Sequence, residues 1–269
     1  MLSGKIKGKV HQLIDNRFFI ITAIKMDFKA RFSRSAFGTL WAILNPLVMV
    51  AIYAFILSKI MQAKLPGIEN SYAYPIYLIS GIVGWTLFSE VVSRSLVVFI
   101  ENGHYLKKLS FPRSNLVFVV LGASFVNSLI LLTAAIAIFL LLDFPPAMSL
   151  LWLVPVTLLT ALFALGIGVS VGVLNVFIRD MGQVVPIVLQ LMFWLTPIVY
   201  TINIIPEQSQ HWLAMNPIFV IVEMYHDILA YRVDPQMGSL AKLFLMAIAT
   251  NVFGFVLYRK ARTEIVEEL

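Results

Sequence analysis

Charge falls along this chain in short clusters, and the uncharged intervals between clusters decide its fold class. Arg34 and Lys59 enclose 24 uncharged residues, and Glu69 and Glu90 enclose 20. Ser114–Leu142 gives 29, Phe144–Ile178 gives 35, Met181–Pro206 gives 26 and Leu243–Tyr258 gives 16. A helix needs about 20 apolar residues to cross a bilayer, so the intervals count membrane crossings. Pro145-Pro146 and Pro155 delay helix entry in the longest run, which fits one crossing better than two. The last run is extended by Gly238–Ala241, with Lys242 able to snorkel. Only 13% of the residues are charged and 60% are hydrophobic. A mean hydropathy of +0.90 leaves no soluble globule to consider. The expectation is an all-α integral membrane protein with six transmembrane helices, at about 36–59, 72–92, 114–141, 149–177, 183–203 and 239–258.

Lys and Arg orient these spans. With the N-terminus inside, cytoplasmic segments carry 16 of them, and outer segments carry only Lys59, Lys64, Arg232 and Lys242. Both termini are therefore expected in the cytoplasm, and the net charge of +6 reads as basic cytoplasmic loops. Residues 1–34 form a cytoplasmic N-terminus, 35–260 the membrane domain and 261–269 a tail. The opening segment Met1–Arg17 is polar for too long to read as a secretory signal.

Two segments resist the span scheme. Ile21, Ile24, Phe28 and Phe32 form an apolar stripe, with Lys25, Lys29 and Arg31 on other faces, which predicts an amphipathic helix at the cytoplasmic interface. Glu207 and Glu223 enclose only 15 uncharged residues, too few to cross. Ile218, Val222, Tyr225 and Leu229 recur at helical spacing there, the pattern either of a half-inserted helix or of one lying on the headgroups. Residues 204–233 are accordingly expected to form short outer re-entrant gate helices, with Asn216, Pro217 and Tyr225 as gate residues.

Motifs of soluble chemistry are absent or misplaced. Gly168-Val169-Ser170-Val171-Gly172 spells a nucleophile elbow, but it lies inside an apolar span. Gly168 and Gly172 fit helix packing there better than a strand-to-helix turn. The four histidines show no metal spacing, no phosphate-binding loop occurs, and there is no cysteine. Glu90 and Arg94 are spaced for a local ion pair. No metal site, cofactor or catalytic residue is expected in this chain, and a transporter of this kind must draw energy from a partner. Trp41, Tyr53, Trp85, Phe88, Phe193, Trp194 and Tyr200 cluster within spans, either as an interfacial belt or as a pore wall for sugar rings.

Several segments together resemble one family. Phe37-Gly38-Thr39-Leu40-Trp41, continuing to Asn45-Pro46-Leu47, is similar to the opening of polysaccharide-exporting ABC transporter permeases. Leu109-Ser110-Phe111-Pro112-Arg113 resembles their basic cytoplasmic loop. Asn175–Asp180, followed by Phe193–Tyr200, resembles their fourth-to-fifth span region, and Asn216-Pro217 their outer segment. The likeness runs in order over residues 17–260. It implies a homodimer in the bacterial inner membrane, joined by two copies of a cytoplasmic ATPase that carries the ATP and Mg. The cargo it implies is a lipid-linked polysaccharide: O-antigen on undecaprenyl diphosphate, or a capsule or teichoic-type glycan. The resemblance places a coupling loop at 93–113, with Tyr105, Lys107, Lys108, Phe111, Pro112 and Arg113 facing the ATPase. It places the interfacial helix on Ile24, Lys25, Phe28, Lys29 and Phe32. Permeases for drugs or small lipids would share the six spans. An intramembrane glycan- or lipid-modifying enzyme would need carboxylate pairs that Glu90, Glu101 and Asp180 do not form.

Overall fold

A computed structural model describes residues 17–32, 38–41, 44, 48, 72–107, 114–206, 213 and 216–268. The described residues are nearly all helical and contain no strand. Hydrocarbon demands this, since each main-chain N–H must be satisfied within its own segment. Most of the expected first span, with Tyr53, lies outside the described residues, as do Lys108, Phe111, Pro112 and Arg113. Of Phe28, Phe32 and Tyr105 the description covers the main chain alone.

Among the described residues, seven helices of ten residues or more follow in order: α1 (Arg17–Phe32), α2 (Ala73–Glu101), α3 (Ser114–Leu141), α4 (Leu153–Phe177), α5 (Met181–Leu195), α6 (Pro217–His226) and α7 (Met237–Ala261). Among the described residues, α2, α3, α4 with its leading turn Met148–Trp152, and α7 are long and apolar enough to cross a membrane. The chain is an integral membrane protein. The prolines at 145 and 146 do postpone α4, whose entry is the 3-10 turn from Met148.

Two helix lengths differ from the sequence expectation. α2 runs to Glu101, nine residues past the expected end, because Glu90 and Arg94 find polar partners and no breaker intervenes. α5 stops at Leu195 after 15 residues, about 22 Å at helical rise. Pro197 disfavours helical backbone at Thr196, which is extended (φ −103°, ψ 136°).

The helix α2 is the hub. In its most apolar stretch 72% of residues are buried, against 28% in α3 and 17% in α7. The last two turn Leu129, Leu140, Phe244, Leu245 and Phe253 outward, as lipid-facing helices do. Against α2 lies α4, brought close by its glycines: a Cβ at Gly168 would stand 2.6 Å from Ser95 Cβ. That close approach is the packing face expected of this motif. Ser170, the would-be nucleophile, donates to the Gly166 carbonyl at 2.7 Å inside a continuous helix. Asn175 Nδ2 reaches the Leu96 carbonyl at 2.9 Å, and Asn251 Nδ2 reaches the Leu162 carbonyl at 2.7 Å, tying α4 to α2 and α7.

Candidate transport site

The segment around α6 is built on Asn216-Pro217. Asn216 caps α6, its Oδ1 accepting from the Ile218 N–H at 2.9 Å, and Pro217 supplies the preset first turn. Asn216 Nδ2 also donates to Thr196 Oγ1 at 2.9 Å. One side chain therefore starts α6 and fastens it to the end of α5.

From there α6 does not lie on a surface. Ile218, Val220, Ile221, Val222, Met224, Tyr225 and His226 are all buried. Gly81 and Gly84 of α2 make the room: a Cβ at Gly84 would stand 2.6 Å from the Tyr225 ring, and one at Gly81 2.6 Å from His226 Nε2. Tyr225 Oη lies 3.0 Å from Thr157 Oγ1 of α4. His226 stacks on Tyr77 with ring centroids 3.7 Å apart. The helix continues as a wide π-type turn, Asp227–Tyr231, closed by Val233 N–H on the Asp227 carbonyl at 2.9 Å. Arg232 follows in left-handed backbone (φ 58°), its guanidinium 3.4 Å above the Phe144 ring. Ser149 Oγ holds the Ile228 carbonyl at 3.0 Å. The connection between α3 and α4 thus grips this segment at two points.

Tyrosines complete this end of the bundle. Tyr77 Oη donates within 3.2 Å of the Pro197 carbonyl and 3.3 Å of the Tyr200 carbonyl, and Tyr74 donates to the Val199 carbonyl. Tyr200 Oη donates to the Trp194 carbonyl at 3.0 Å. Tyr74, Tyr77 and His226 escaped sequence reasoning, since an i,i+3 tyrosine pair beside Pro75 reads as an interfacial belt. On the half-buried face of the hairpin, burial raises the Glu223 carboxyl, opposed by Lys242. Burial and then Glu223 push Asp227 up to about 6.

The structure joins part of the expected aromatic set. Trp85 of α2 meets Phe193 of α5 at 5.6 Å between centroids, and Phe193 meets Trp194 at 5.5 Å. These rings form a ladder that ends at Trp194, which is half exposed. Phe88 lies deeper: only 3% exposed, it meets Trp85 at 6.0 Å between centroids and stacks on Phe163 of α4 at 5.8 Å. Trp41 is exposed.

At the opposite end of α2 lie a short helix, Gly103–Leu106, and exposed His104 and Lys107. Here α1 rests on α3, with Ile24 filling the space over Gly122, while Lys25 and Lys29 are exposed. Glu90 and Arg94 do pair, at 2.8 Å, though not in isolation. No group of three metal-ligating side chains occurs among the described residues.

A bundle of apolar helices around one buried span, with α6 and its π-type turn clamped against that span, has the build of a membrane transport subunit. The model of the ABC-2 type transporter family matches residues 19–230, and the chain belongs to that family. An O-antigen export system permease protein of Klebsiella pneumoniae is 28% identical over 269 residues, the whole of both chains. One from Myxococcus xanthus is 23% identical over 97% of this chain and 98% of its own. A polysialic acid transport protein of Escherichia coli is 24% identical over 87% of this chain and 89% of its own. Membership makes the chain the membrane part of an ATP-driven transporter that works with an ATPase.

Proposed function

We propose that this chain is the permease subunit of a bacterial inner-membrane exporter of lipid-linked polysaccharide, acting as a homodimer with two ATPase subunits. The observation that carries the reading is the end-to-end correspondence with an O-antigen export permease. The aromatic ladder Trp85–Phe193–Trp194 supports it, since ring faces let a sugar chain slide without fixed hydrogen bonds. Further support for a dimer comes from α5. Only Val185 is buried there, and Gln183 and Gln190 lie exposed one heptad apart on a helix otherwise apolar. Side-chain amides facing lipid would be costly, so this face belongs against a second copy and the export path.

The first of six spans then occupies about 36–59. The cytoplasmic face carries the interfacial helix α1 and the coupling loop 93–113, whose Tyr105, Lys107, Lys108, Phe111, Pro112 and Arg113 meet the ATPase. The hairpin 204–233 is the outer gate. Expressed with its ATPase in a cell lacking its own O-antigen permease, the chain should restore surface glycan. Absence of surface glycan, with both subunits assembled in the membrane, would refute the substrate assignment. Because no native cysteine exists, Asp234→Cys should react with an impermeant maleimide from outside, and Thr263→Cys only after permeabilisation. The reverse pattern would invert the topology.

A further inference from the structure

Where α1, α2 and α3 meet, four side chains from three helices are joined. Arg94 Nε donates to Glu90 Oε1 at 2.8 Å. Its Nη1 and Nη2 both donate to Asp27 Oδ2 of α1, at 3.0 and 3.1 Å. Asn127 Nδ2 of α3 donates to Glu90 Oε2 at 2.6 Å. Asp27 and Arg94 are 67 residues apart, and nothing in their local sequence announces the pairing.

The surroundings give the junction its meaning. A crevice of about 650 Å³ opens between the three helices, with Phe19, Met26 and Thr22 on one wall and Ser93, Val97 and Val120 among those opposite. α1 is supported mainly by α3, through Ile24 over Gly122. Between α1 and α2 the crevice intervenes, and the Arg94 guanidinium reaches across it. The two guanidinium edges engage carboxylates on different helices, a fork that a lysine could not reproduce. The Arg94 and Glu90 side chains are only 11% and 12% exposed, Asp27 34%.

We infer that Arg94 is a positioning residue of the transport cycle: it locks the interfacial helix to the span that bears Trp85 and, at its far end, the outer gate. The same α2 continues to Glu101, beside the short helix of the coupling loop. A push delivered at that loop is therefore shared by α1, α2 and α3 while the junction holds. Without it α1 stays on α3, and the push is divided.

This inference rests on the transporter reading, and export by the unaltered complex in the same vesicles is the control for that reading. The permease–ATPase complex is reconstituted with lipid-linked glycan, and assembly, ATP hydrolysis and glycan export are followed for Arg94→Gln, Asp27→Asn and Arg94→Lys. Arg94→Gln and Asp27→Asn should assemble and hydrolyse ATP, yet export at least about fivefold less glycan per ATP, the lower range of coupling effects. Arg94→Lys should fall between them and the unaltered chain. Spin labels on Lys29→Cys and Ile100→Cys should give one narrow distance, broadened by either neutralising substitution. An unchanged export-to-hydrolysis ratio overturns the proposal. So does a parallel loss of assembly, hydrolysis and export in the isosteric Asp27→Asn variant, or a distance that does not broaden.

Discussion

The two ends of α2 each hold a short amphipathic helix, and they hold it by opposite means. At the N-terminal end of α2, α6 is docked dry: Gly81 and Gly84 remove side-chain bulk, and Tyr225 and His226 fill the notches. At the other end α1 is joined to α2 across an open crevice by Arg94. Close packing has one good arrangement and resists deformation. An ion pair over a cavity tolerates small shifts of its partners. The α6 attachment thus behaves as part of the core, and the α1 attachment as an adjustable link.

Substitutions can break this contrast. The largest effect is expected for Tyr225→Ala, which empties a fully buried aromatic site and should cost about 3 kcal/mol or more, seen as a lower midpoint of thermal unfolding in detergent. Next comes Gly84→Ala, whose new methyl collides with the Tyr225 ring; about 2 kcal/mol is expected by the same measurement. Ile24→Ala at the α1 attachment should cost only about 1 kcal/mol, because the side chain is half-buried. Its signature is local: faster hydrogen exchange along α1 with the spans unchanged. Equal global destabilisation by Ile24→Ala and Gly84→Ala would abolish the distinction between the ends.

The smallest effect is a pH dependence confined to α6 and its π-type turn. Asp227 titrates near 6, above its ordinary value, because burial disfavours its charged form. The folded hairpin then binds the proton more tightly than the unfolded one. Stability is full at low pH and is lost as pH rises through about 6. The protection of α6 amides, taken relative to their base-catalysed intrinsic exchange rate, should therefore fall modestly between pH 5 and pH 7, and Asp227→Asn should flatten the trend.

How much of this was legible depends on the range of the forces involved. α3 and α7 are continuous apolar runs facing lipid, so hydropathy finds them directly. Asn216-Pro217 announces a helix start through purely local chemistry. The depth of α6 is another matter, because its apolar stripe suits headgroups and protein equally well. What decides it is Gly81 and Gly84, more than a hundred residues earlier. Glu90 and Arg94 read as a local pair because i,i+4 spacing is visible, whereas Asp27 is reached only by folding. Phe88 and Trp85 look alike in sequence and meet in the fold, but Phe88 is the more deeply buried because it also stacks on Phe163 of α4.

The π-type turn at Asp227–Tyr231 has a consequence for register. An added residue in a helix rotates everything beyond it by about 100°, and such wide turns mark places where a helical phase has been reset. Ile228, Leu229 and Ala230 are consecutive and all buried, and beyond them Arg232 arrives over Phe144. Deleting one residue between Asp227 and Tyr231 would restore an ordinary helical turn and swing Arg232 away from that ring. The grip of the 142–147 loop on the hairpin is thus set by phase, so a single codon lost or gained there would undo it while leaving every contacting side chain in the sequence.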